Sequence, residues 1–115
     1  MKGVINYKQI FTNTIDEFIT DLSIMLPRNE AINNLDIGWR MGGSAFVPQI
    51  LKTIKDMVKG KNAELFEKEQ EEFFQTPLYF FDLIGIKNWF STISDGERIT
   101  IWRYLKTLKF LSDKI

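Results

Sequence analysis

The sequence predicts an all-α fold, a compact bundle of about four to six helices in which a long C-terminal helix, about residues 95–112, packs centrally. Three observations predict it. Apolar residues recur at helical spacing in the first quarter and the middle of the chain. Ser94-Asp95-Gly96-Glu97 matches a capping box, with serine as N-cap and glutamate at N3, directly before a third periodic run. The β-prone run Leu78–Phe81 has no partner of similar character. At 115 residues the chain reads as a single helical domain, 1–115.

The first helix is expected over about Tyr7 to Leu26. At about 100° per residue, Phe11, Ile15, Phe18, Ile19, Leu22, Met25 and Leu26 fall within an arc of roughly 120°. Pro27 ends it, because a residue before proline is pushed out of the α region. Residues 28–43 read as irregular, with one helical turn near Glu30 to Leu35, and Gly38, Gly42 and Gly43 as a loop around Trp39.

A second long helix is expected from Ser44 to Lys59, with Pro48 tolerated near its first turn. Gly60 follows as a C′ residue. Asn62 is placed to cap a helix over Ala63 to Gln75, whose apolar face is weak. Thr76-Pro77 reads as N-cap and N1 of a short apolar helix, Leu78 to Ile84, that Gly85 ends. A turn or short helix then holds Ile86, Trp89, Phe90 and Ile93.

Composition narrows the chemistry. There is no cysteine and no histidine, which removes disulfides, thiol catalysis, zinc–thiolate sites and the commonest general base. No Ser-x-x-Lys occurs, so no activated serine is read. Glu64, Glu67 and Glu71 would share a helix face and could hold a hard cation, but a solvated acidic face is the simpler reading. Gly38 to Ser44 lacks the Gly-Lys-Ser/Thr ending of a phosphate loop. No catalytic residue, metal ligand or cofactor is expected.

Fifteen bases balance fifteen acids, so no global pull toward nucleic acid or anionic lipid is expected. The charge is unevenly placed. Residues 61–82 hold six acids against two bases, and residues 98–115 hold five bases against one acid. The two blocks are candidates to face each other. The longest uncharged stretch, Met41 to Leu51, falls well short of the roughly 18 residues that a membrane span needs. Met1 to Asn13 has no charge-free apolar core, so no signal peptide is read and an intracellular location is expected.

The last helix offers the candidate site. Ile101, Tyr104, Leu105, Leu108, Leu111 and Ile115 share one arc of roughly 120°. Arg98, Arg103, Lys106 and Lys109 lie opposite, and so do Ile99, Trp102 and Phe110. Two readings stay open. In one, the helix packs on two sides and its basic side chains snorkel outward. In the other, aromatics among cations form a ridge that binds an acidic protein surface or, as second choice, a nucleic-acid backbone. The candidate partner-binding residues are therefore Arg98, Ile99, Trp102, Arg103, Lys106, Lys109 and Phe110, together with Trp39 and Arg40 of the glycine loop. Sixteen aromatic residues in so small a chain also make self-association an expectation.

Two stretches carry a resemblance. Ile93-Ser94-Asp95-x-x-Arg98-x-x-Ile101-Trp102-Arg103-Tyr104-Leu105-x-x-Leu108 resembles a recurrent ending of short helical proteins of large nucleocytoplasmic DNA viruses, the giant viruses of algae and amoebae. Phe18-Ile19-x-Asp21-Leu22, followed by Leu26-Pro27, is similar to their opening. The chain departs at Leu26, where those proteins often have phenylalanine, at Arg103, where they have lysine, and in the glycine-rich loop. The resemblance implies a viral accessory protein that acts as an interaction or structural module in the infected cell or virion. It implies no activity and assigns no functional residue.

Overall fold

The computed structural model describes residues 4–76 and 78–115. Among these it holds seven α-helices, three 3₁₀ turns and no strand. The all-α expectation is met; the count exceeds the expected four to six by one, and the helix that was not expected is Glu30–Gly42.

Helix α1, Tyr7–Met25, is started by Asn6, whose side chain accepts from the Gln9 amide at 3.0 Å. Phe11, Ile15, Phe18, Ile19 and Leu22 are its buried face. It stops at Leu26, before Pro27.

Helix α2, Glu30–Gly42, corrects the irregular reading of residues 28–43. Asn29 caps it, accepting from the Ile32 amide. Only Ile32, Leu35 and Trp39 are buried along it, at i, i+3 and i+7, and the glycine inside it, Gly38, obscures this narrow stripe. Packing on α1 supplies what propensity lacks. The glycine loop is thus mostly helix. Only Gly43–Ala45 leaves it, as a 3₁₀ turn.

Helix α3, Val47–Asp56, is shorter at both ends than the expected 44–59. The 3₁₀ turn precedes it, and Pro48 sits in its first turn. Gly60, at φ +58°, reverses the chain.

Helix α4 spans only Lys61–Glu67, and Glu71–Gln75 is a 3₁₀ turn, so the single helix expected over 63–75 is broken. Two causes are local. A continuous helix would set Glu67 against Glu71 at i, i+4, a repulsive spacing. It would also spread Leu65, Phe66, Phe73 and Phe74 over about 180°. The break, made at Glu69 with φ +53°, lets Phe66, Phe73 and Phe74 all reach the core.

Helix α5, Tyr79–Ile84, begins after an extended Leu78, not at the expected Thr76-Pro77 cap; Pro77 lies outside the described residues. Gly85 ends it in the left-handed region at φ +64° and leads into α6, Ile86–Trp89. The Trp89 indole donates to the Ile84 carbonyl at 2.9 Å and holds the two helices together. A 3₁₀ turn, Phe90–Thr92, follows.

Helix α7, Asp95–Ser112, opens with the expected capping box: Ser94 accepts from the Glu97 amide, and Glu97 accepts from the Ser94 amide. It packs on α1 and α3, while α5 packs on α2 and α3. On the α1 side Tyr104 stacks on Phe18 with ring centroids 4.7 Å apart. On another side Trp102 meets Phe66, Phe73, Phe74 and Phe90 at 5.0–6.2 Å. Such ring pairs contribute roughly 0.5–1.5 kcal/mol each beyond their buried area. The helix is central, packed from two sides.

Candidate interaction surface on the last helix

The structure divides the nine candidate residues. Trp102 is 5% exposed. Its ring belongs to the aromatic core, and it is not a surface ridge residue; the neighbours that cover it, Phe66 to Phe90, are remote from it in sequence. Trp39 is likewise buried, at 8%. Its indole Nε1 donates to Asp16 at 2.8 Å, and Gly43 packs on its ring. Arg40 stays at the surface, but its guanidinium is already engaged: it lies 3.4 Å from Asp16, 3.3 Å from Asp36 and 3.0 Å from the Thr20 hydroxyl. The Trp39–Arg40 pair therefore ties α2 to α1.

Arg98 is turned inward. It donates to the Ile93 carbonyl at 2.8 Å and pairs with Asp95 at 3.4 Å, so it finishes the N-terminus of α7. Lys106 reaches Glu69, the one place where an ion pair joins the basic C-terminal block to the acidic block, among the described residues. Lys109 pairs with Asp113 at 2.6 Å. Arg103 has no ion pair among the described residues.

Four of the nine remain together on the outside. Ile99, Arg103, Lys106 and Phe110 are exposed, and at about 100° per residue they lie within an arc of roughly 60°. Ile99 is 51% and Phe110 59% exposed. The stripe runs about 16 Å along the axis at 1.5 Å per residue. It has an apolar side chain at each end and two cations between. Lys114 Nζ sits 5.3 Å from the Phe110 ring, a cation–π contact.

At its C-terminal end the stripe borders an open groove of about 500 Å³. Val58, Ala63 and Phe66 supply its apolar lining. Phe110, Glu67, Lys106, Lys109 and Asp113 complete its lining. Sequence reading missed Val58, Ala63 and Glu67 because they come from the bend after α3 and from α4, and only the chain reversal at Gly60 brings them beside α7. A second cleft of about 300 Å³ lies between α1 and α7, with Arg103, Glu17 and Tyr104 in its wall. There the Tyr104 hydroxyl donates to Asp21. Burial, first, and then the Asp21 carboxylate hold this phenol well above its usual range.

The expected acidic face of Glu64, Glu67 and Glu71 is split by the helix break. No group of three or more Asp or Glu that could hold a metal ion occurs among the described residues. No helix among them is long and apolar enough to cross a membrane. Compared with protein-family models, curated proteins and solved structures, the chain matches none.

Proposed function

We propose that this chain is a non-catalytic accessory protein that binds another protein through the outer face of α7. The observation that supports this most is the stripe of Ile99, Arg103, Lys106 and Phe110. Two large apolar side chains remain half-exposed on a helix whose other sides fill the core, and arginine and aromatic groups are the side chains that most often anchor interfaces. The resemblance of residues 18–27 and 93–108 to short proteins of giant viruses supports an infected cell or a virion as the setting.

A nucleic-acid role for the same helix has less support. Arg98, Lys106 and Lys109 each hold a carboxylate of this chain, which leaves Arg103 as the basic residue of α7's original four without one among the described residues. Net charge is zero, so the long-range attraction is small.

The test is affinity capture from host cells with the wild type, Ile99→Asp and Phe110→Asp. Both sites are exposed, so both variants keep their fold. Loss of the same captured protein from both, with wild-type capture surviving raised salt, supports the reading. Retention of every captured protein by both variants refutes it. Capture of nucleic acid that falls steeply with salt favours the phosphate-binding role instead.

A further inference from the structure

We propose that the Asp95-Gly96 bond is a site of spontaneous isomerisation to isoaspartate, with the capping box of α7 as the restraint that sets its rate.

Three observations place the reaction there. Asp95 is the one aspartate that glycine follows, and glycine follows no asparagine. Without a Cβ, Gly96 neither crowds its own nitrogen nor restricts the turning of its backbone, and nothing lies within 4 Å of where a Cβ would stand. The Asp95 side chain is 97% exposed, and its ion-pair partner among the described residues is Arg98 at 3.4 Å, so the carboxyl is free to turn toward the chain. The Gly96 amide donates to no acceptor among the described residues; it is one of the first-turn N–H groups that an α-helix leaves unpaired. A solvent-exposed carboxyl and an unengaged amide nitrogen thus stand side by side.

The reaction balances with water alone. The Gly96 nitrogen attacks Cγ of Asp95, and an N–C bond forms. The amide proton and the hydroxyl of the protonated carboxyl leave as water, which closes a succinimide ring. Water then adds at one of the two ring carbonyls. Breaking the new bond restores aspartate. Breaking the original peptide bond leaves the chain running through Cβ and Cγ, one atom longer, with the former main-chain carbonyl as a free carboxylate. Ring closure turns Asp95 away from the helical ψ of about −42°, so it proceeds when the first turn frays. The reciprocal bonds of Ser94 and Glu97, at 3.2 and 2.9 Å, oppose that fraying. The added backbone atom falls between those two residues, so isomerised chains lose the box.

The test is prolonged warm incubation of the folded whole chain at neutral pH, followed by peptide mapping and by labelling with an isoaspartyl methyltransferase. Wild type is expected to accumulate isoaspartate at Asp95, through a species lighter by one water. Ser94→Ala removes the cap while leaving the dipeptide intact, and is expected to speed the reaction about fivefold, the change in fraying that the loss of one cap allows. Gly96→Ala is expected to slow it, with an unchanged helical circular dichroism spectrum. Isomerised chains, once separated, are expected to melt at a lower temperature than fresh protein. Wild type that stays free of isoaspartate at Asp95 overturns the proposal, as does isoaspartate that forms chiefly at other aspartates. Equal rates in wild type and Ser94→Ala overturn control by the capping box, and an unchanged melt of the isomerised chains overturns the loss of the box.

Discussion

The indole of Trp39 donates its hydrogen to the Asp16 carboxylate at 2.8 Å, across a sequence separation of 23. The same carboxylate oxygen lies 3.4 Å from Arg40, so one acid on α1 holds two successive residues of α2. Asp16→Ala removes the acceptor of a part-buried hydrogen bond and is expected to cost about 1 kcal/mol. Asp16→Asn keeps an acceptor and is expected to recover part of this. Urea denaturation measures both, and an unchanged midpoint for Asp16→Ala contradicts the role.

Gly43 is required for contact, not for turning. A Cβ there would lie 2.8 Å from Cδ2 of Trp39, and the ring is held by Asp16 and cannot swing away cheaply. Gly43→Ala is therefore expected to cost about 1–3 kcal/mol by overpacking. Gly96→Ala is the control: nothing lies within 4 Å of its Cβ, and in the first turn of α7 alanine is expected to be neutral or to stabilise by up to about 1 kcal/mol. Thermal melts of the two variants should move in opposite directions or differ by several degrees.

Trp102 and Phe110 lie two turns apart on one helix and should respond differently to truncation. Trp102→Ala empties the centre of the aromatic cluster and is expected to cost about 3–5 kcal/mol. Phe110→Ala removes a ring that is more than half exposed and is expected to change stability by less than about 0.5 kcal/mol. Equal losses in calorimetry would contradict the burial of Trp102 and the exposure of Phe110.

Tyr104 gives the fold an alkaline limit. Burial and the neighbouring Asp21 raise its phenol pKa, so the folded state favours the protonated form. The unfolded phenol ionises at about pH 10. This contribution to stability is full below that pH and is lost as pH rises through the folded-state value. Tyr104→Phe is expected to lose about 1 kcal/mol at neutral pH, the worth of one partly exposed hydrogen bond, and to show a shallower alkaline decline. Urea midpoints between about pH 8 and about pH 11 check this; identical declines would exclude the Tyr104–Asp21 contact as the cause.

Much of the fold was legible because its signals are local. The faces of α1 and α7, the stop at Pro27, the left-handed Gly85 and the Ser94–Glu97 box each depend on a few neighbouring residues. Helix α2 was missed because only three of its residues are buried and Gly38 lies within it. The break after Glu67 was missed because like-charge crowding and a left-handed Glu69 outweigh the helix propensity of a glutamate-rich run. In the candidate surface, Ile99, Arg103, Lys106 and Phe110 were found by their spacing, whereas spacing left Trp102 open between core and surface, and both it and Trp39 lie within.

Spacing along the chain determined that the protein is helical, where its longest helices start and stop, and which side chains share a helix face. It also limited the chemistry, because a chain without histidine or cysteine lacks the side chains on which most sites depend. Which of the two opposed faces of α7 meets solvent was decided only by tertiary packing. Phe66, Phe73, Phe74 and Phe90 converge on Trp102 from segments that periodicity treats independently, and among the described residues none comparably covers Ile99 or Phe110. Exposure is a property of neighbours distant in sequence, and those neighbours exist only once the bundle has closed.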